Sequence, residues 1–345
     1  MTENPPSPGA TIGAAGSAHV GASTLSGGPS LISGASVRRG DRVFRGLSVA
    51  ASASVLAIMA AIAAFLVSEA VPALTKNDAN FLTETKWFPD PSTPGGPVIF
   101  GIASLAIDTL VSSLVAMAVA VPVAIGIALF TAYYAPRRLA RPLAYLVDLL
   151  AAVPSIVYGL WGFFFFKNHL GGLVLWLDRW FGWTGLFHYR PSALPGNQSL
   201  FTAGLVLAIM ILPIISAISR EVFVQVPRQN IEAALALGAT RWEMIRISVL
   251  PFGRAGVTSA SILGLGRALG ETLAVALILT QVYDINLHIT ENGGITFASN
   301  IALKIGEAED TGTGALIASG LVLFVITLAV NSVAQILIRR SNVEA

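Results

Sequence analysis

Six apolar stretches, each about long enough to cross a bilayer as a helix, constrain this chain more than any other feature. They run at about 47–74, 100–134, 143–166, 200–218, 257–280 and 315–338. A hydrocarbon core of about 30 Å takes about 20 such residues, and a backbone in lipid must satisfy its own polar groups, which favours helices. The composition agrees: 54% of the 345 residues are hydrophobic and only 12% charged, with a mean hydropathy of +0.73, where a soluble domain carries about 25% charge. The expected fold is therefore an all-α polytopic membrane protein with six transmembrane helices.

Residues 1–37 are rich in Gly, Ala, Ser and Pro. They cannot bury enough apolar surface to offset ordering, and read as a disordered tail before a membrane domain over 38–345. The tail lacks the basic start and apolar run of a signal peptide. Pro154, Gly159 and Gly162 interrupt the third stretch, as is tolerated where neighbouring helices or a wet path satisfy the backbone. The segment 173–187 is apolar and tryptophan-rich but short, with Asp178 and Arg179 in its middle. An interfacial or re-entrant helix fits it better than a crossing.

Charge orients the spans. With a cytoplasmic N-terminus, Arg38, Arg39, Arg42, Arg45, Arg137, Arg138, Arg141, Arg339, Arg340 and the five arginines between 220 and 254 face inward. Only Lys76, Lys86, Lys167, Arg179, Arg190 and Lys304 face outward. That is the bias of a cytoplasmic face, and it places both termini there. The net charge of +2 gives no pointer to nucleic acid. Without cysteine the chain has no disulfide framework or thiol nucleophile. It also lacks a G-x-x-x-x-G-K-[ST] phosphate loop, and no catalytic or metal-ligand cluster stands out. His19, His169, His188 and His288 read as surface residues.

The largest inward loop, 227–251, reads as a helical hairpin. Pro227 suits a first helical turn, 229–237 is an alanine-rich helix, and Gly238 stands where a left-handed cap belongs. Thr240 and Glu243 form a T-x-x-E capping box for a second helix, which Leu250-Pro251 is expected to stop. Such a hairpin could lie on headgroups or dock a cytoplasmic subunit. Beyond it, Arg267 and Glu271 stand four apart within an apolar stretch, so one helix would present both on one face. Ionisable groups at that depth face the bundle interior or a wet cavity. Either they form a salt bridge that orients the bundle, or Arg267 meets an anion in transit. Its planar, permanently charged fork suits a tetrahedral oxyanion.

Glu232-Ala233-Ala234, Gly238 and Leu250-Pro251 resemble the EAA loop of ATP-binding-cassette importer permeases, with Ser248 where that pattern has isoleucine. Together with AVPSIVYGLWG and GRALGETLAV, the chain after residue 40 resembles the C-type permease of bacterial phosphate-specific importers. The resemblance implies the type I importer permease architecture, with a coupling helix docking on a separate ATPase through Glu232, Ala233, Ala234 and Gly238. It implies substrate translocation at Arg267 and Glu271, and no catalytic site on this chain. It also implies ATP and Mg on two partner ATPase subunits, a homologous second permease, an extracytoplasmic phosphate-binding protein, and a place in the bacterial inner membrane. A permease for sulfate or molybdate, or an ATPase-independent secondary transporter, are the alternative readings.

Overall fold

The computed structural model describes residues 39–91, 95–188 and 198–343, so the tail expected over 1–37 lies outside the described residues. The chain divides into two units, 1–57 and 58–345. In the first, the described residues are the opening half of helix α1, Arg39–Lys76.

Among the described residues, four helices are long and apolar enough to cross a bilayer. They are α1, α2 (Ala103–Leu129, continued by a π turn Phe130–Tyr134), α6 (Leu200–Val224) and α12 (Asp310–Val343). The third expected stretch is two helices, α3 (Arg137–Ala151) and α4 (Ser155–His169), bent by 96°. Pro154 sits at the bend as the N-cap of α4, because the residue before a proline leaves the helical region. Tyr158 Oη donates to Leu150 O at 2.7 Å across it. The short helix expected near 173–187 is α5, Gly171–Phe181.

The fifth stretch is also interrupted. A helix enters as α8 (Arg241–Met244), widens in a π turn at Ile245–Val249 and continues as α9 (Leu250–Leu269). After a break, α10 spans Leu273–Ile278. Leu250-Pro251 therefore does not stop the helix, contrary to the expectation above. Proline clashes with the carbonyl four residues back, and the wide turn just before it relieves that clash. Two further helices among the described residues are α7 (Arg228–Ala236) and α11 (Phe297–Lys304).

The core is built by close helix approach. Ala116, Ala120, Ala124 and Ala128, one turn apart on α2, are fully buried where α2 packs on α6. On α9, Gly253, Ala260 and Gly264 face α6 in the same way, and a β-carbon at Gly264 would stand 2.7 Å from Ile215 Cδ1. Small residues let helices pack tightly where lipid supplies no hydrophobic drive between them. On the far side of α2, buried Asp108 accepts the Ile295 N–H at 2.8 Å and Thr109 accepts that of Phe297 at 3.1 Å. These bonds tie the entry of α11 to α2. Outside the bundle, β1 (Trp87–Phe88) pairs antiparallel with β2 (Ile99–Phe100). Asp90, just after β1, caps the start of α12 through Gly312 N at 2.8 Å.

Candidate functional site

Helix α9 carries Ser259, Ile262, Leu263, Gly266 and Arg267 along one stripe, at the spacing of successive helical turns. The stripe borders an open cavity of about 640 Å³ that is also lined by Ile214 of α6 and by Asn331 and Gln335 of α12. The Arg267 side chain is exposed along this wall. It stands about 25 Å along the helix from Leu250, at 1.5 Å per residue. Among the described residues, no carboxylate forms an ion pair with it.

Glu271 is elsewhere. Helix α9 ends at Leu269, with Gly270 as its C-cap. Thr272 Oγ1 bonds back to Gly270 O at 3.2 Å. Glu271 falls within this break, is only 9% exposed, and accepts the Ala274 N–H at 3.3 Å. It serves the first turn of α10, where the free N–H groups and the helix dipole favour a negative group. The shared helical face expected for Arg267 and Glu271 is therefore corrected. The two residues do not share one continuous helix, and among the described residues they form no ion pair.

The motif that opens α4 meets this region directly. A β-carbon at Gly159 would stand 2.6 Å from Ala274 Cα, so α4 can approach the backbone of α10 only through glycine. VPSIVYGLWG and GRALGETLAV, distant in sequence, are two sides of one packed contact.

The hairpin forms nearly as its caps dictate. Pro227 is the N-cap of α7 rather than a residue of its first turn. Gly238 adopts φ +83°. Its N–H bonds to Leu235 O at 3.0 Å, and that of Ala239 to Ala234 O at 3.2 Å, the paired bonds of a Schellman cap. The Thr240–Glu243 capping box is present in both directions. The Thr240 N–H, and then its hydroxyl, hold the Glu243 carboxyl below its ordinary value. Met244, Ile245 and Val249 bury against Phe223 and Ala128, anchoring the hairpin to α2 and α6. Ala234 packs partly inward on this cluster, while Glu232, Ala233 and Gly238 are exposed. Ser248, at the position where the EAA pattern carries isoleucine, donates to Asn230 O at 3.3 Å. The substitution exchanges an apolar contact for a tether between α7 and the π turn.

Residues 124–343, which hold the hairpin, the break and the cavity, match the family of binding-protein-dependent transport system inner membrane components. The chain belongs to that family. It is 48% identical over 287 residues to the phosphate transport system permease protein PstC 2 of Mycobacterium tuberculosis, covering 83% of this chain and 88% of that protein. It is 37% identical over 293 residues to PstC of Pasteurella multocida, covering 83% and 88%. A looser likeness links it to the inward-facing MetNI methionine ABC transporter, with a TM-score of 0.48 at 16% identity over 70% of this chain and 94% of that one.

In this permease the six residues singled out in the sequence fall into three places. Arg267 lines the cavity, Glu271 occupies the break, and Glu232, Ala233, Ala234 and Gly238 lie on the hairpin. Sequence reasoning missed Asn331 and Gln335. Their signal was present: two amides four residues apart, hence on one helical face, in the last apolar stretch.

Proposed function

We infer that this chain is the membrane-spanning permease subunit of an ATP-driven importer that carries inorganic phosphate into the cytoplasm. The observation that carries the reading is the Arg267 guanidinium, which lines a cavity between membrane helices without a carboxylate partner among the described residues. A permanent cation in that position favours an anionic cargo, and its planar fork offers paired hydrogen bonds to a tetrahedral oxyanion. Its relatives among phosphate transport system permeases support phosphate as the anion.

Arg267 holds phosphate during transit, and Glu271 keeps the helix break in shape so that the guanidinium points into the path. The exposed Glu232, Ala233 and Gly238 present the hairpin to one of two cytoplasmic ATPase subunits, which bind ATP and Mg. Ala234 fixes the hairpin to the bundle. A homologous permease completes the path, and an extracytoplasmic binding protein delivers phosphate. The chain is a transport subunit in the bacterial inner membrane, with both termini cytoplasmic and no catalytic site of its own.

Radiolabelled phosphate uptake in cells lacking this chain and other phosphate importers tests the reading. Restoring the chain is expected to restore uptake, with arsenate competing and sulfate not. Uptake that stays absent on restoration, or that sulfate blocks as well as arsenate does, contradicts the phosphate assignment.

A further inference from the structure

Arg267 offers only N–H donors, so by itself it holds sulfate as readily as phosphate. The opposite wall of the cavity is built differently. Asn331 and Gln335, one turn apart on α12, bring two amide groups to the same space. The Asn331 Oδ1 is buried and accepts no hydrogen bond among the described residues. Buried amide oxygens are almost always paired, and leaving one unpaired is unfavourable unless a donor reaches it. The rest of the wall supplies little. Ile214, Ile262 and Leu263 are apolar, Gly266 has no side chain, and the Ser259 hydroxyl already donates to Ala255 O at 2.9 Å.

We propose that Asn331, its amide turned to bring Oδ1 to the cavity and assisted by Gln335, is a specificity-determining acceptor that receives the P–O–H hydrogen of phosphate while Arg267 holds its unprotonated oxygens. Phosphate keeps at least one such hydrogen at neutral pH and sulfate has none. A carbonyl oxygen facing a sulfate oxygen sets two lone-pair bearers against each other. The cavity thus joins a charge reader to a proton reader, and the two together describe a protonated oxyanion. Sites that hydrogen-bond one group of a ligand reject analogues lacking it far more strongly than apolar sites can. The proposal rests on the reading that phosphate passes Arg267.

The test uses the intact permease–ATPase assembly, purified without its binding protein. Bound radiolabelled phosphate is displaced either by unlabelled phosphate or by monofluorophosphate, a dianion of similar shape with fluorine in place of the hydroxyl. The wild-type assembly is expected to prefer phosphate by about tenfold or more. Asn331→Leu is expected to weaken phosphate binding by a similar factor and leave monofluorophosphate unchanged, so that the preference disappears. Asn331→Ser keeps an acceptor oxygen and is expected to retain part of the preference. If Asn331→Leu does not assemble, Asn331→Ala is measured in its place with the same expectation. A preference unchanged in the Leu or Ala variant overturns the role of Asn331, including the case where the amide bonds the second permease instead. Provided Arg267→Gln still weakens phosphate binding by about tenfold or more, that result leaves the reading that phosphate passes Arg267 standing. Phosphate binding undiminished in Arg267→Gln overturns that reading itself.

Discussion

At Gly238 the backbone stands at φ +83°, and a β-carbon added there would meet nothing within 4 Å. Any effect of substitution is therefore conformational and not steric. An alanine in this left-handed position costs about 1–2 kcal/mol, while asparagine tolerates it better. Gly238→Ala is expected to lower phosphate uptake at unchanged protein level in the membrane, and Gly238→Asn to lower it less. Equal uptake by both would remove the cap from the coupling account. Five residues on, Glu243 gives a pH signature. Its carboxyl lies below the ordinary value because the charged form accepts two bonds from Thr240. A lowered folded value stabilises the hairpin at and above the ordinary carboxylate range, and that contribution is lost as pH falls through the folded value. Amide exchange at Thr240, corrected for its intrinsic rate, is expected to speed up only in that acid window. In Glu243→Gln the step should be absent.

Helices were legible where a single physical signal governed them. The long apolar stretches gave α1, α2, α6 and α12, and the caps at Gly238 and Thr240 gave the hairpin almost residue by residue. Interruptions were less legible. Gly270 reads as one more small residue in an apolar stretch, yet it ends α9 and moves Glu271 from the face of Arg267 to the start of α10. Pro251 reads as a stop, yet a π turn before it carries the helix through. Both outcomes depend on packing that no local pattern encodes. The contact of α9 with α6 makes this testable. Gly264→Leu would drive a side chain into Ile215, which a β-carbon alone would meet at 2.7 Å. Overpacking typically costs about 1–3 kcal/mol, so the variant is expected to lower the thermal stability of the purified assembly. Ile215→Ala is expected to restore part of it. Stability unchanged by Gly264→Leu would mean that this approach is looser than described.

Across the described residues, a cavity lined by the Arg267 cation is joined to a capped hairpin through one nearly continuous helix, α8 to α9. The cavity explains why a charged residue stands among membrane helices. On the proposed reading, the hairpin is where a separate engine pushes. Which partner would meet each face was not legible from composition or period, and it is proposed from the resemblance of the motifs. The most direct test of the account compares Arg267→Gln with Glu271→Gln in phosphate uptake, at matched protein level in the membrane. If Arg267 holds the anion, its loss removes charged hydrogen bonds, at about 1.5–3 kcal/mol each, and uptake should fall by about tenfold or more. Glu271→Gln keeps an oxygen able to accept the Ala274 N–H, and should retain most of the activity. Full uptake by Arg267→Gln, or an equal collapse of both variants, would contradict the account.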